Sequence, residues 1–100
     1  MEYILENITF GFTPDEYVFG SRDDAFEYLK ACVDIGNPAE NQRKLDLCKQ
    51  FYGRNYFAEL WTITERDHGV YKFCEEFHVV IREGSAYIMS NFTGEILAEG

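Results

Sequence analysis

Positive charge is scarce in this 100-residue chain: nine lysines and arginines stand against eighteen aspartates and glutamates, a formal net charge of −9. A field of that sign repels nucleic-acid phosphates and anionic membranes and attracts basic partners; it also serves solubility alone. No apolar run approaches the ~18 residues that a membrane-spanning helix needs. The opening MEYILENITF lacks the basic n-region and the small-residue cleavage site of a secretory signal. Cysteine is sparse and odd in number, three in all, which excludes a fully paired disulfide framework and fits free thiols in a reducing compartment. A cytoplasmic location is expected, and the Asn91-Phe92-Thr93 sequon is expected to carry no glycan. Walker loops, G-x-G-x-x-G and G-x-S-x-G turns are all missing, as are repeats, low-complexity tracts and linkers.

Apolar residues, by contrast, are plentiful. They make up 46 % of the chain and aromatics 17 %, with nine Phe and seven Tyr. This is the composition of one folded domain, residues 1–100, with a core built on rings. The charge is uneven. Residues 1–42 carry nine acids and two bases, residues 43–54 four bases and one acid, and residues 55–100 eight acids and three bases. Arg43, Lys44, Lys49 and Arg54 thus form a basic patch in an acidic chain. It is either a helix C-terminus complementing the backbone dipole or a binding patch.

The spacing of apolar residues predicts the elements. EYILENITF reads as a strand over 3–10, GFTPDEY as a loop, and VFG as a strand remnant. Ser21 caps a helix whose stripe is Ala25, Phe26, Leu29, Cys32 and Val33, with Gly36 placed to end it. Asn37, Pro38 and Glu40 open a second helix at once. Its stripe is Leu45, Cys48, Phe51 and Tyr52, and Gly53 ends it. Strands follow over 56–65, 70–82, 86–91 and 95–98, separated by turns at DHG, EGS and FTG. The expected fold is α+β in the order β-α-α-β-β-β-β: a four- to five-stranded antiparallel curved sheet packed on a helical hairpin. This order resembles cystatin-like sheet-around-helix topologies, with no family motif behind it.

The stretch TERDHGVYKFCEEFH, residues 64–78, holds both histidines, one cysteine and four carboxylates. Strand alternation sends Glu75 and Glu76 to opposite faces, so they cannot act as a catalytic pair. Cys74 and His78 lie ~13 Å apart along one strand, too far to share a zinc ion or a proton. A His78–Glu59 acid–base pair beside Trp61 is the one enzymatic arrangement left open. No enzyme, metal or cofactor is expected.

On the long strand, Tyr71, Phe73, Glu75, Phe77, Val79 and Ile81 are expected to face the core, with Glu75 near an edge or paired. A two-residue His68-Gly69 turn would set Glu65 opposite Lys72, Ile63 opposite Cys74, Trp61 opposite Glu76 and Glu59 opposite His78. Glu59, Trp61, Glu65, Cys74, Glu76 and His78 would then share a face. Trp61 is either an aromatic anchor among carboxylates or a core ring. Asp67 in the turn, Phe92 at the last turn, and a second acidic cluster of Asp15, Glu16, Asp23, Asp24 and Glu27 complete the candidate partner-binding residues.

These features point to a protein, monomer or homodimer, that binds a basic protein surface and not nucleic acid or membrane. Small size and high acidity are properties shared with the anti-CRISPR and DNA-mimic inhibitors carried by phages and mobile elements. Those cover a basic nucleic-acid groove of a host defence complex, in the host cytoplasm. Two other classes stay open: a small-molecule module or small enzyme with a pocket between sheet and helices, and a structural or assembly subunit.

Overall fold

A computed structural model describes residues 1–9 and 16–100. Asp15 and the end of the expected first strand, Phe10, lie outside the described residues. The fold is α+β, in the order β1 (Glu2–Asn7), β2 (Tyr17–Phe19), α1 (Arg22–Val33), α2 (Pro38–Tyr52), β3 (Tyr56–Asp67), β4 (Val70–Arg82), β5 (Ser85–Ser90) and β6 (Ile96–Glu99). The described strands make one antiparallel open sheet, ordered β2-β1-β3-β4-β5-β6. The expected count of four or five strands is corrected to six. The VFG remnant becomes β2, held by pairing Tyr3 with Phe19 and Leu5 with Tyr17. Tyr28 of α1 also stacks on it, its ring centroid 5.1 Å from Tyr17 and 5.3 Å from Phe19.

Both helices cover one face of the sheet. Ala25, Leu29, Val33 and Leu45 pack there against Leu5, Trp61, Ile63, Phe77, Val79, Ile81 and Ile88. The helix starts form as the sequence implies. Ser21 Oγ accepts from Asp24 N at 3.1 Å, and Asn37 Oδ1 accepts from Glu40 N at 3.2 Å. The first helix stop differs. Asp34, not Gly36, takes the left-handed conformation, with φ 53°. Aspartate tolerates that region, and the early stop lets Ile35 turn into the core. Side chains of α2 then satisfy the exposed end of α1: Asn41 Nδ2 donates to Ile35 O and Lys44 Nζ to Val33 O, each at 2.7 Å. So α2 is tied to α1 by hydrogen bonds as well as by Leu45.

The second half of α2 is not buried as its stripe suggested. Phe51 and Tyr52 are 67 % and 65 % exposed. This end of the helix stands off the sheet, and the gap between them is a cleft.

Mutating the core and the turns separates packing from backbone strain. Phe77→Ala empties a fully buried site and should cost about 3–5 kcal/mol in urea unfolding. Gly69→Ala should cost about 1–2 kcal/mol, because Gly69 has φ 79° while an added Cβ would meet open space. Gly36→Ala, at a glycine without positive φ and with equal space, should be neutral or stabilising by up to about 1 kcal/mol.

Candidate partner-binding site

The β3–β4 hairpin decides which side chains can act together. Its turn is the two-residue His68-Gly69 turn, with φ 50° and 79°, and Asp67 pairs with Val70. Beyond Arg66–Tyr71 the register shifts, so that Thr64 pairs with Cys74. One residue of β3, Glu65, then faces two of β4, Lys72 and Phe73, which is a β-bulge. From there on every expected pair moves by one. Trp61 pairs with Phe77, Ile63 with Glu75, Thr62 with Glu76, Leu60 with His78 and Glu59 with Val79.

The shared face expected for Glu59, Trp61, Glu65, Cys74, Glu76 and His78 is therefore corrected. Trp61 and Glu59 lie on the helix-covered face with Phe77 and Val79. Cys74, Glu76 and His78 lie on the opposite face. Trp61 is 6 % exposed and belongs to the core. No Glu59–His78 acid–base pair forms across the strands. On the open face Glu76 Oε2 accepts from Asn91 Nδ2 at 2.8 Å, and Phe92 stands exposed in the turn that follows β5.

Tyr71 and Phe73, expected in the core, are exposed instead, as is Val70. For Tyr71 the reason is the bulge, which pairs it with Arg66 and so turns it to the face away from the helices; for Val70 and Phe73 it is reach. β5 pairs with Phe77–Arg82 of β4, and the hairpin runs on past it. Among the described residues, the outer edge of β4 from 70 to 75 has no strand partner.

Several acids gather at this end. Glu75, on the helix-covered face, is paired as expected: Arg22 donates through Nε and Nη2 to its two oxygens at 3.1 and 3.0 Å. The same guanidinium lies 4.9 Å from the Phe26 ring and 5.7 Å from Phe77. This pair sets the start of α1, with exposed Asp23 and Asp24, over the base of the hairpin. Glu65 and Asp67 belong to the hairpin itself. Glu16 comes within 4.0 Å of Arg66, which also binds Glu2 at 3.1 Å. So Glu16, Asp23, Asp24, Glu65 and Asp67 share an end of the molecule with Tyr71 and Phe73, which sequence reasoning had assigned to the core. Glu27 is paired with Lys30 at 2.7 Å, while Glu59, Glu76, His78 and Phe92 lie elsewhere. Glu6, on β1, has its carboxyl pushed up by burial and by the nearby charge of Glu16.

The cleft lies beneath the other half of the helices and is an open groove of ≈ 750 Å³. Glu59, Trp61, Asn7 and Phe57 form its floor, Ala31 and Cys32 of α1 one wall, and Leu47, Cys48, Phe51 and Tyr52 of α2 the other. Asn7 Nδ2 donates to Glu59 Oε2 at 2.6 Å. Burial pushes the Cys32 thiol up, a hydrogen bond with Tyr28 works against that, and the negative charge of Glu59 adds to it.

Neither a scan of family models, nor a search of curated proteins, nor a search of solved structures returns a match for this chain. Among the described residues no helix is long and apolar enough to cross a membrane. No three His, Cys, Asp or Glu side chains among them are grouped to hold a metal ion.

Two electrostatic outcomes follow. A double-mutant cycle on Arg22→Gln and Glu75→Gln should give a coupling of about 1 kcal/mol, because both side chains are about a third exposed and partly screened. Glu6 should act in the opposite sense. Its folded pKa is raised, so the fold is unpenalised below the unfolded value and loses stability as pH rises through the folded value. Glu6→Gln should therefore raise Tm by about 1–2 °C at pH 7. That gain should vanish on acidification through the carboxylate range and shrink in high salt.

Proposed function

We propose that the protein works by binding another protein that presents a basic surface. What carries this reading is the hairpin end of the molecule. Acids from four segments, Glu16, Asp23–Asp24, Glu65 and Asp67, lie at the same end of the molecule as the exposed rings of Tyr71 and Phe73. Rings supply the apolar anchor of an interface, and the carboxylates supply steering and specificity. The raised Glu6 carboxyl fits the same picture, since a partner's cation nearby would relieve the repulsion from Glu16.

The most specific form of the proposal is an inhibitor of the anti-CRISPR or DNA-mimic type, carried by a phage or mobile element. It would occupy the groove where a host defence complex binds nucleic acid, its carboxylates standing where phosphates would lie. Trp61 has no direct part in this interface, and Phe73 and Tyr71 take the anchoring role.

Tagged protein should capture a partner with a basic groove from lysate, and nucleic acid should compete for it. Affinity should fall steeply with salt, as expected for an interface that displaces counterions. Asp23→Lys with Asp24→Lys should weaken the complex mainly through the association rate. Phe73→Ala should cost about 1–2 kcal/mol, mainly through dissociation. Binding indifferent to salt, or a partner with no basic groove, would sink the mimic form.

A further inference from the structure

Glu59 and Glu75 both stand on the helix-covered face of the sheet, and their fates differ. Glu75 is neutralised by Arg22. Glu59 is half-buried in the cleft floor, and among the described residues no cation lies within ion-pair distance of it. Among the described residues its one hydrogen bond is from the neutral amide of Asn7 to Oε2. Its negative charge reaches across the cleft to Cys32. Two cations line the cleft, Arg43 and Lys44, and each has a partner other than Glu59. Arg43 is bound to both oxygens of Glu40. Lys44 donates to Val33 O and stands 5.4 Å from the Phe57 ring centroid.

The surroundings of Glu59 are aromatic. Trp61 lies beside it in the floor, Tyr17 lines the cleft from β2, and Phe51 and Tyr52 rise from α2. The two α2 rings cover little of the chain's own surface, being 67 % and 65 % exposed. Aromatic faces attract cations, most strongly when a nearby carboxylate supplies the counter-charge. A volume of ≈ 750 Å³ is in the range of small-molecule sites. From this uncompensated carboxylate in a ring-lined cleft we infer that the cleft is a binding site for a small organic cation, an alkylated ammonium compound. Glu59 is its counter-ion, and the rings of Trp61, Tyr17, Phe51 and Tyr52 are its walls. The inference does not depend on the protein-binding reading, since the cleft and the hairpin end use different residues.

The test is a set of three molecules of one shape: choline, neutral 3,3-dimethylbutan-1-ol and anionic 3,3-dimethylbutanoate, at matched ionic strength. Trp61 is the chain's one tryptophan, so intrinsic tryptophan fluorescence reads this cleft. Amide NMR spectra recorded in parallel detect binding that leaves the indole silent. Choline should produce a saturable change with a Kd of about 1 mM or tighter, about tenfold stronger than the alcohol, with the carboxylate weakest. Glu59→Gln, with its fold verified by circular dichroism, should abolish that preference. Phe51→Ala, at an exposed helix position, should weaken choline severalfold without touching the core. Equal binding of choline and the alcohol, tighter binding of the carboxylate, retained preference in Glu59→Gln, or no saturable response in either readout would each overturn the inference.

Discussion

The β-bulge on the β3–β4 ladder is the constraint on which the other elements depend. Two demands meet in this hairpin, and they disagree by one residue. The His68-Gly69 turn pairs Asp67 with Val70, so it sets odd positions of one strand against even positions of the other. The apolar residues demand something else. Phe57, Trp61 and Ile63 on β3, and Phe77, Val79 and Ile81 on β4, are all odd, and all must face the helices. Had the turn's register run on unbroken, one strand would have sent its large apolar side chains to the wrong face. At roughly 1.5–3 kcal/mol for each fully buried apolar side chain, no turn preference could sustain that. The extra residue of β4, between Tyr71 and Cys74, reconciles the two demands, and it also increases the twist where the hairpin leaves the sheet.

That conflict was present in the residues, which is why the fold was legible in broad outline while the candidate face was not. Helix caps, the turn glycines and the apolar spacing place both helices and the strands β3 to β6 close to their observed bounds. The parity of Trp61 and Phe77 across a two-residue turn was the missed signal. It required a bulge, and with one the pairing of Trp61 with Glu76 could never have formed. Other differences had no local signal. β2 is three residues long, and its stability comes from β1 and from Tyr28. The stop at Asp34 depends on Ile35 finding the core and on α2 reaching back to the freed carbonyls. The exposure of Phe73 depends on where β5 begins to pair, and that of Tyr71 on the bulge. Each is a tertiary outcome that overrides local preference.

The same geometry sorts the polar residues of the helix-covered face. α1 runs close to the sheet at its start, where Arg22 can reach Glu75 and lie over Phe26 and Phe77. Toward the other end of the face, α2 is held by Leu45 and by its bonds to the end of α1, so its last turns stand clear. Had α2 lain flat, Phe51 and Tyr52 would have closed over Glu59 and buried a charge with no cation to meet it. Such burial costs several kcal/mol. The open cleft avoids that cost and leaves the α2 rings exposed.

Distance then bears on whether the two surfaces can influence each other. Glu59 lies four residues along β3 from Ile63, the partner of Glu75, a separation of about 13 Å on an extended strand. This exceeds the ~8 Å over which physiological salt screens exposed charges, so direct electrostatic coupling between cleft and hairpin is weak. Any stronger coupling must be mechanical and pass through α1. This helix touches both ends: Arg22 grips Glu75 at its start, and Cys32 lines the cleft near its finish. A shift of α1 on the sheet would move both at once, whereas a rearrangement confined to the last turns of α2 would be felt in the cleft alone.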